Sequence, residues 1–180
     1  MDLEVYSCMI IETERLILRR YTYDDFKELY EILNDPITMK YYPKVYNEEE
    51  TRRWIRWNLD NYEKYGFGLW AIELKDSKTF IGDCGLTIQK IDNGFLPEIG
   101  YHINKKYWLN GYAKEAGKAV RDWAFVNTKY ECLYSYMTSL NVASYSTAKS
   151  IGMEKIKEYK DDNNDTIYVY AISKKMWDMR

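Results

Sequence analysis

This 180-residue chain has one histidine, three prolines and three cysteines, and each scarcity excludes something. The cysteines (Cys8, Cys84, Cys132) are odd in number, far apart and without C-x-x-C spacing. They argue against a disulfide framework or a structural zinc site and fit a reducing compartment. The lone histidine, His102, alternates with Tyr101 and Ile103 in a strand-like run, and no nucleophile elbow exists for it to serve. A packed strand histidine is expected there. None of the prolines sits inside a strongly periodic stretch, and there is no repeat, low-complexity tract or Pro/Gly/Ser-rich linker. One domain over residues 1–180 is the economical expectation. No run of 18 apolar residues occurs and no apolar h-region follows Met1, so a cytoplasmic protein is expected. A formal charge of −2, from 26 basic and 28 acidic side chains, gives no drive towards nucleic acid or anionic membranes.

What is present is an ordinary globular composition, 46% hydrophobic and 30% charged, with unusually many tyrosines and tryptophans: 19 and 6. Such side chains join a large apolar body to a polar tip, so they suit a core edge, a pocket or a partner surface. Core padding is the plainest of these readings. The Asp161–Asp165 cluster lacks the glycine and distal glutamate of a calcium loop. It reads as a solvated hairpin turn, and no metal is expected.

Periodicity gives the order β-α-α-β-β-β-α-β-α-β-β. Arg15–Arg20 is a strand. Thr22 with Asp25 starts a helix whose Phe26, Leu29, Tyr30 and Leu33 share a face. Asn47 followed by Glu48, Glu49 and Glu50 starts a second, running to about Lys64 with Ile55, Leu59 and Tyr62 on one stripe and Trp54 and Trp57 beside it. Three strands follow, Phe67–Leu74, Thr79–Gln89 and Glu98–Ile103, then a helix (Gly111–Phe125), a strand (Cys132–Thr138), a helix (Val142–Ile151) and two last strands, Glu154–Tyr159 and Thr166–Ile172. This is an α/β (α+β) class chain: a mixed, mostly antiparallel twisted sheet with helices on both faces.

The chemistry is expected around residues 98–126, where a strand leads through a loop into Gly111-Tyr112-Ala113 and a helix. A helix start exposes unpaired N–H groups and partial positive charge, and small residues leave that backbone open to an anion. The helix's Ala113, Ala116, Gly117, Val120 and Ala124 form a small-residue face for close packing on a sheet.

The run Tyr107–Ala116 (YWLNGYAKEA) resembles the W-G-x-G-Y-A-x-E-A signature of the GCN5-related N-acetyltransferases (GNAT family). It is closest to the branch of ribosomal-protein N-terminal (alanine) acetyltransferases. Thr13–Arg19 (TERLILR), Ile81–Leu86 (IGDCGL), Glu98–Tyr101 (EIGY), Asn141 with Ser144, and Ile151–Glu154 (IGME) match in the same order, so the resemblance covers nearly the whole chain. Two positions depart from it: Leu109 stands where the family has its second glycine, and Asn110 where it has a basic residue.

The resemblance implies acetyl-CoA as co-substrate, lying in a splay between the strands at Glu98–Ile103 and Cys132–Thr138. Backbone around His102 and Ile103 would pair with the pantetheine, N–H groups of Asn110, Gly111, Tyr112 and Ala113 would hold the pyrophosphate, and Asn141 would touch the pantetheine or the substrate side. It implies transfer to an amine by direct attack in a ternary complex, with Glu98 as base and Ser144 as donor to the sulfur. Each has a plainer reading: a solvated strand-end carboxylate for Glu98, a first-turn helix serine bonding local backbone for Ser144, and an N-cap for Asn141. The tyrosine donor of many relatives falls at Ala148, so that route is closed, and Tyr145 points elsewhere.

For the amine-bearing acceptor, a small molecule or a protein N-terminus, Tyr41, Tyr42 and Trp54 form a candidate aromatic wall, although core packing explains Trp54 and Trp57 equally well. Family relatives are often monomers or homodimers, and the resemblance implies one of the two here. A non-catalytic acyl-CoA sensor of the same fold would need neither Glu98 nor Ser144. A third reading, an aromatic module for single strands or sugars, has no basic surface behind it on the nucleic-acid side.

Overall fold

The computed structural model describes residues 9–179; Cys8 lies outside them. Eight strands form one sheet: β1 (Met9–Glu12), β2 (Leu16–Arg19), β3 (Leu69–Leu74), β4 (Phe80–Ile91), β5 (Gly94–Ile103), β6 (Cys132–Thr138), β7 (Glu154–Lys160) and β8 (Thr166–Ser173). Their order across the sheet is β1-β2-β3-β4-β5-β6-β8-β7. Every neighbouring pair is antiparallel except β5 and β6, which run parallel. The helices are α1 (Phe26–Leu33), α2 (Glu48–Tyr65), α3 (Tyr112–Asn127), α4 (Val142–Ser150) and the short α5 (Lys174–Asp178). The expected element order therefore holds, with β1 added at one sheet edge and α5 at the end.

Local chemistry sets the helix ends. Asn47 accepts from the Glu50 N–H at 2.9 Å while Glu50 accepts from the Asn47 N–H at 3.0 Å, a reciprocal capping box at the start of α2. Thr22 N–H donates to Asp25 ahead of α1, which buries Leu29, Ile32 and Leu33. Inside α2, Asn58 accepts from the Leu69 N–H at 2.8 Å and the Tyr62 hydroxyl donates to the Leu69 carbonyl, fixing this helix to the start of β3.

The long β4–β5 hairpin turns on Asp92 and Asn93, with Asp92 in the left-handed region at φ 51, and its ten-pair register sets Asp83 opposite His102. Successive β5 residues face opposite sides of the sheet. His102 meets Trp54 of α2, whereas Tyr101 reaches Ser144 of α4. α2 and α4 thus cover opposite faces, and β5 presents side chains to both. As the spacing predicts, α3 buries Ala116, Gly117, Val120 and Ala124 against the sheet. Asp161 ends β7 by accepting from the Asn163 and Asp165 N–H groups at 3.0 and 2.8 Å, so the acidic cluster is the expected hairpin turn.

Candidate active site

Between β5 and β6 the only paired position is Glu98 with Tyr134; beyond it the strands part. This splay turns strand backbone towards an open gap, and the loop and helix start that follow β5 close one end of it.

The loop is built from opposed constraints. Leu109 is fully exposed and held at φ 63; Gly111 caps α3 at φ 80 with no side chain bonded to the helix's first N–H groups. A Cβ placed on Gly111 would meet only the Arg15 guanidinium, 3.6 Å away, so the N–H groups of Tyr112 and Ala113 stay approachable. Asn110 folds back on its own loop, its side-chain amide donating to the Tyr107 and Trp108 carbonyls at 3.2 and 2.9 Å. That leaves backbone, not the Asn110 side chain, facing outward. The chain's own residues therefore fit a pyrophosphate at this helix start.

The amides of β5 are allotted differently from the expectation. The His102 N–H donates to Asp83 Oδ1 at 3.0 Å and the Ile103 carbonyl accepts from the Trp108 indole at 2.7 Å. His102 is therefore committed to the β4 side through its backbone. Strand alternation turns the amides of Tyr101 and Ile103 towards the gap instead. Of the expected pair, the His102 N–H is taken by Asp83, while strand alternation turns Ile103 towards the gap.

Beside the splay, Glu98, His102, Tyr42, Trp54 and Ser144 line one cleft, and Tyr41 is not among its walls; Lys40 lies over the Tyr41 ring instead. Glu98 is partly buried, and that burial pushes its carboxyl up to about 7. The Thr87 hydroxyl, donating to Oε2 at 3.1 Å, opposes the rise without cancelling it, and Gln89 in turn donates to Thr87 at 3.3 Å. A carboxyl poised near neutral pH suits proton transfer. It is not the freely solvated strand-end group of the plainer reading.

His102 is buried and tied to a carboxylate of its own. Its Nδ1 lies 2.8 Å from Asp83 Oδ1, and Asp83, fully buried, also accepts from the Tyr21 hydroxyl at 2.8 Å. Burial opposes charge on the imidazole, but Asp83 outweighs it and raises the His102 pKa. Tyr42 packs 5.0 Å from the imidazole and Trp54 5.7 Å, edge-on. The histidine is packed, as the strand pattern predicts, and it also stands on the cleft wall.

On the opposite face Asn141 accepts from the Ser144 N–H at 3.1 Å, which makes it the N-cap of α4. Ser144 sits in the first turn, but its hydroxyl faces Tyr101: the Tyr101 hydroxyl donates to the Ser144 carbonyl at 2.8 Å and lies 3.2 Å from Oγ. Ala148 is buried and Tyr145 stacks on Tyr170, away from Ser144. Sequence spacing did not point to Asp83, Thr87, Tyr101 or Arg15. Asp83 lies within the quoted Ile81–Leu86 run and was recoverable only from the hairpin register.

A mixed sheet that splays beside a helix start left open by Gly111, with Glu98 and Ser144 flanking the opening, has the frame of an acyl-CoA-dependent transferase. Comparison with known sequences agrees: residues 15–154 match the acetyltransferase (GNAT) domain, and the chain belongs to that family. The chain is similar to two Bacillus subtilis (strain 168) proteins. It is 36% identical to the uncharacterised protein YkkB, covering 84% of this chain and 88% of that one, and 30% identical to the uncharacterised N-acetyltransferase YnaD, covering 94% and 99%. The solved structure of a GNAT-family acetyltransferase from Bacillus anthracis superposes with a TM-score of 0.80 at 28% identity, over 93% of this chain and 99% of that one.

Proposed function

We propose that this acetyltransferase moves the acetyl group of acetyl-CoA to a primary amine by direct attack in a ternary complex, with Glu98 as general base and Ser144 as proton donor. The observation that carries the reading is the Glu98 carboxyl, raised to about 7 and opening on the same cleft as Ser144. Bound acetyl-CoA supplies the activated thioester. The chain's own part is to bind, orient and move protons.

The N–H groups of Gly111, Tyr112 and Ala113 receive the pyrophosphate, with the Asn110 segment shaping the loop around them. The outward amides of Tyr101 and Ile103 receive the pantetheine, and Asn141 fixes the α4 end that carries Ser144. Glu98 takes a proton from the acceptor nitrogen, and the Ser144 hydroxyl holds one for the departing sulfur. Tyr42 and Trp54 supply an aromatic wall for an ammonium before it is deprotonated; Tyr41 belongs to the outer approach. A small-molecule amine and a protein N-terminus both meet this chemistry. Free Cys84 and Cys132 suit the reducing cytoplasm, where we place the protein.

Initial-rate kinetics with both substrates varied test the route. Intersecting double-reciprocal lines are expected. Parallel lines, the mark of a covalent acetyl-enzyme, would replace direct attack with a two-step transfer.

A further inference from the structure

An acceptor amine arrives as an ammonium carrying three protons and leaves as an amide carrying one. Two protons must depart from the nitrogen, and one carboxylate at Glu98 holds only one of them. The neighbourhood of Glu98 contains one further group of a type whose ordinary pKa lies near neutral pH.

That group is the imidazole of His102, the sole histidine of the chain. It is 8% exposed, with Nδ1 2.8 Å from the Asp83 carboxylate. An ionised Asp83 accepts the Nδ1 proton, which leaves Nε2 with the free lone pair. Nε2 is buried and has no hydrogen-bond partner, an uncommon state for a polar atom and one that asks for an explanation. Between His102 and Glu98 on this strand face stands Gly100. A Cβ there would lie 3.1 Å from Glu98 Oε2, and its three nearest neighbours would all be atoms of the Glu98 carboxylate, which therefore leans over the Gly100 backbone on the side of the imidazole.

We propose that His102 is a positioning residue for Glu98: anchored by Asp83, the imidazole faces the carboxylate across Gly100 and changes its charge in step with it. This rests on Glu98 being the base. When Glu98 gives up its proton, the imidazolium stabilises the carboxylate. When Glu98 accepts one from the ammonium, the N–H bond breaks at the acceptor nitrogen and an O–H bond forms at Glu98. Glu98 then gives that proton to solvent water at the cleft mouth, and the imidazolium stabilises the restored carboxylate, which takes the second proton.

The groups around the imidazole are Asp83 from β4, Glu98 from its own strand, Tyr42 from the segment after α1 and Trp54 from α2. The Tyr21 hydroxyl lies behind Asp83, and Tyr136 from β6 shares the cleft. Burial pushes Tyr21, Tyr42 and Tyr136 up, away from neutral pH, whereas it lifts Glu98 to about 7, and Asp83 raises His102 above its ordinary value.

A single histidine gives one set of imidazole signals, so the test is a nitrogen-detected NMR titration of the whole chain without ligands. The proton on Nδ1 in the neutral form is expected, with a midpoint above 6.5. Glu98→Gln is expected to lower that midpoint by about half a unit or more, because the carboxylate no longer supports the imidazolium. By linkage, His102→Gln must raise the acid limb of kcat/KM, which reports the free enzyme, by a similar amount. A His102 midpoint unmoved by Glu98→Gln, or a neutral form protonated on Nε2, would overturn the proposal. The Glu98→Gln protein needs no change at the buried histidine, so misfolding of the His102 variant does not spoil the test. Turnover lost in Glu98→Gln with an unmoved midpoint removes His102 and keeps the base; turnover unchanged in Glu98→Gln removes both.

Discussion

Arg15, at the start of the first long-range strand pairing, donates through Nη1 to the carbonyl of Asn110 at 3.1 Å, although 95 residues separate them. The same guanidinium donates from Nε to Glu115 Oε2 at 2.7 Å, pairs with it through Nη2, and lies 4.5 Å above the Tyr112 ring. Glu115 also accepts from the Thr13 hydroxyl at 2.6 Å and the Arg15 N–H at 2.9 Å. Burial would raise its carboxyl, but these donors hold it below the usual range. The residues that open the sheet thus hold the loop that starts α3. They also set a positive charge beside Gly111, where the loop itself has Asn110.

Arg15→Ala is therefore expected to raise the KM for acetyl-CoA roughly fivefold while changing kcat little. Part of the pairing is solvent-exposed, so its loss is worth about 1 kcal/mol rather than the larger value of a buried ion pair. Initial rates at saturating amine check this, and an unchanged KM would detach Arg15 from cofactor binding.

Glu98→Gln is expected to lower kcat/KM by about 10²–10⁴, the usual contribution of a general base. In the unsubstituted protein kcat/KM should rise with pH through about 7, where the carboxyl ionises. Stability has the opposite sign. Below its ordinary value of 4.5 the group is neutral folded and unfolded. Between there and about 7 the unfolded chain ionises while the folded site holds its proton; above that, the buried charge costs most. The gain in Tm from Glu98→Gln should accordingly be absent near pH 4.5, grow towards pH 7 and then level off in a thermal-melt series.

Leu109 is fully exposed at φ 63, a conformation that costs a non-glycine residue about 1–2 kcal/mol. Leu109→Gly removes that strain but adds about 0.5–1 kcal/mol of unfolded-chain freedom. A net stabilisation between about 0 and 1.5 kcal/mol is expected, read as a higher urea midpoint with unchanged slope.

Ser144→Ala is expected to lower kcat about tenfold or more without altering the amine KM, if the hydroxyl serves the leaving sulfur. Tyr101→Phe removes the partner of the Ser144 carbonyl and costs about 1 kcal/mol of stability. A first-turn serine that only bonds local backbone would leave kcat untouched in Ser144→Ala.

How far the sequence reached depends on the range of each interaction. Thr22 with Asp25, Asn47 with Glu50 and Asn141 with Ser144 act three residues apart; the last two start α2 and α4 where the pattern puts them, and Thr22 starts a 3-10 turn that leads into α1. The α3 face was legible for the same reason. β1 was not, because its four residues gain their strand character from pairing with β2 rather than from their own alternation. Gly94–Pro97 belongs to β5 despite its proline, since the register with β4 carries the strand past it. In the site, Glu98, Ser144 and the Gly111 loop came from a motif. Asp83 under His102 and Tyr101 on Ser144 needed the hairpin register and the packing of α4, which no local window contains.

Free-thiol release by the purified protein, given acetyl-CoA and a panel of small amines and N-terminal peptides, tests the transferase reading most directly. Turnover with one acceptor class, lost in Glu98→Gln and slowed in Ser144→Ala, is the result expected. Tight acetyl-CoA binding with no thiol released towards any amine would contradict it.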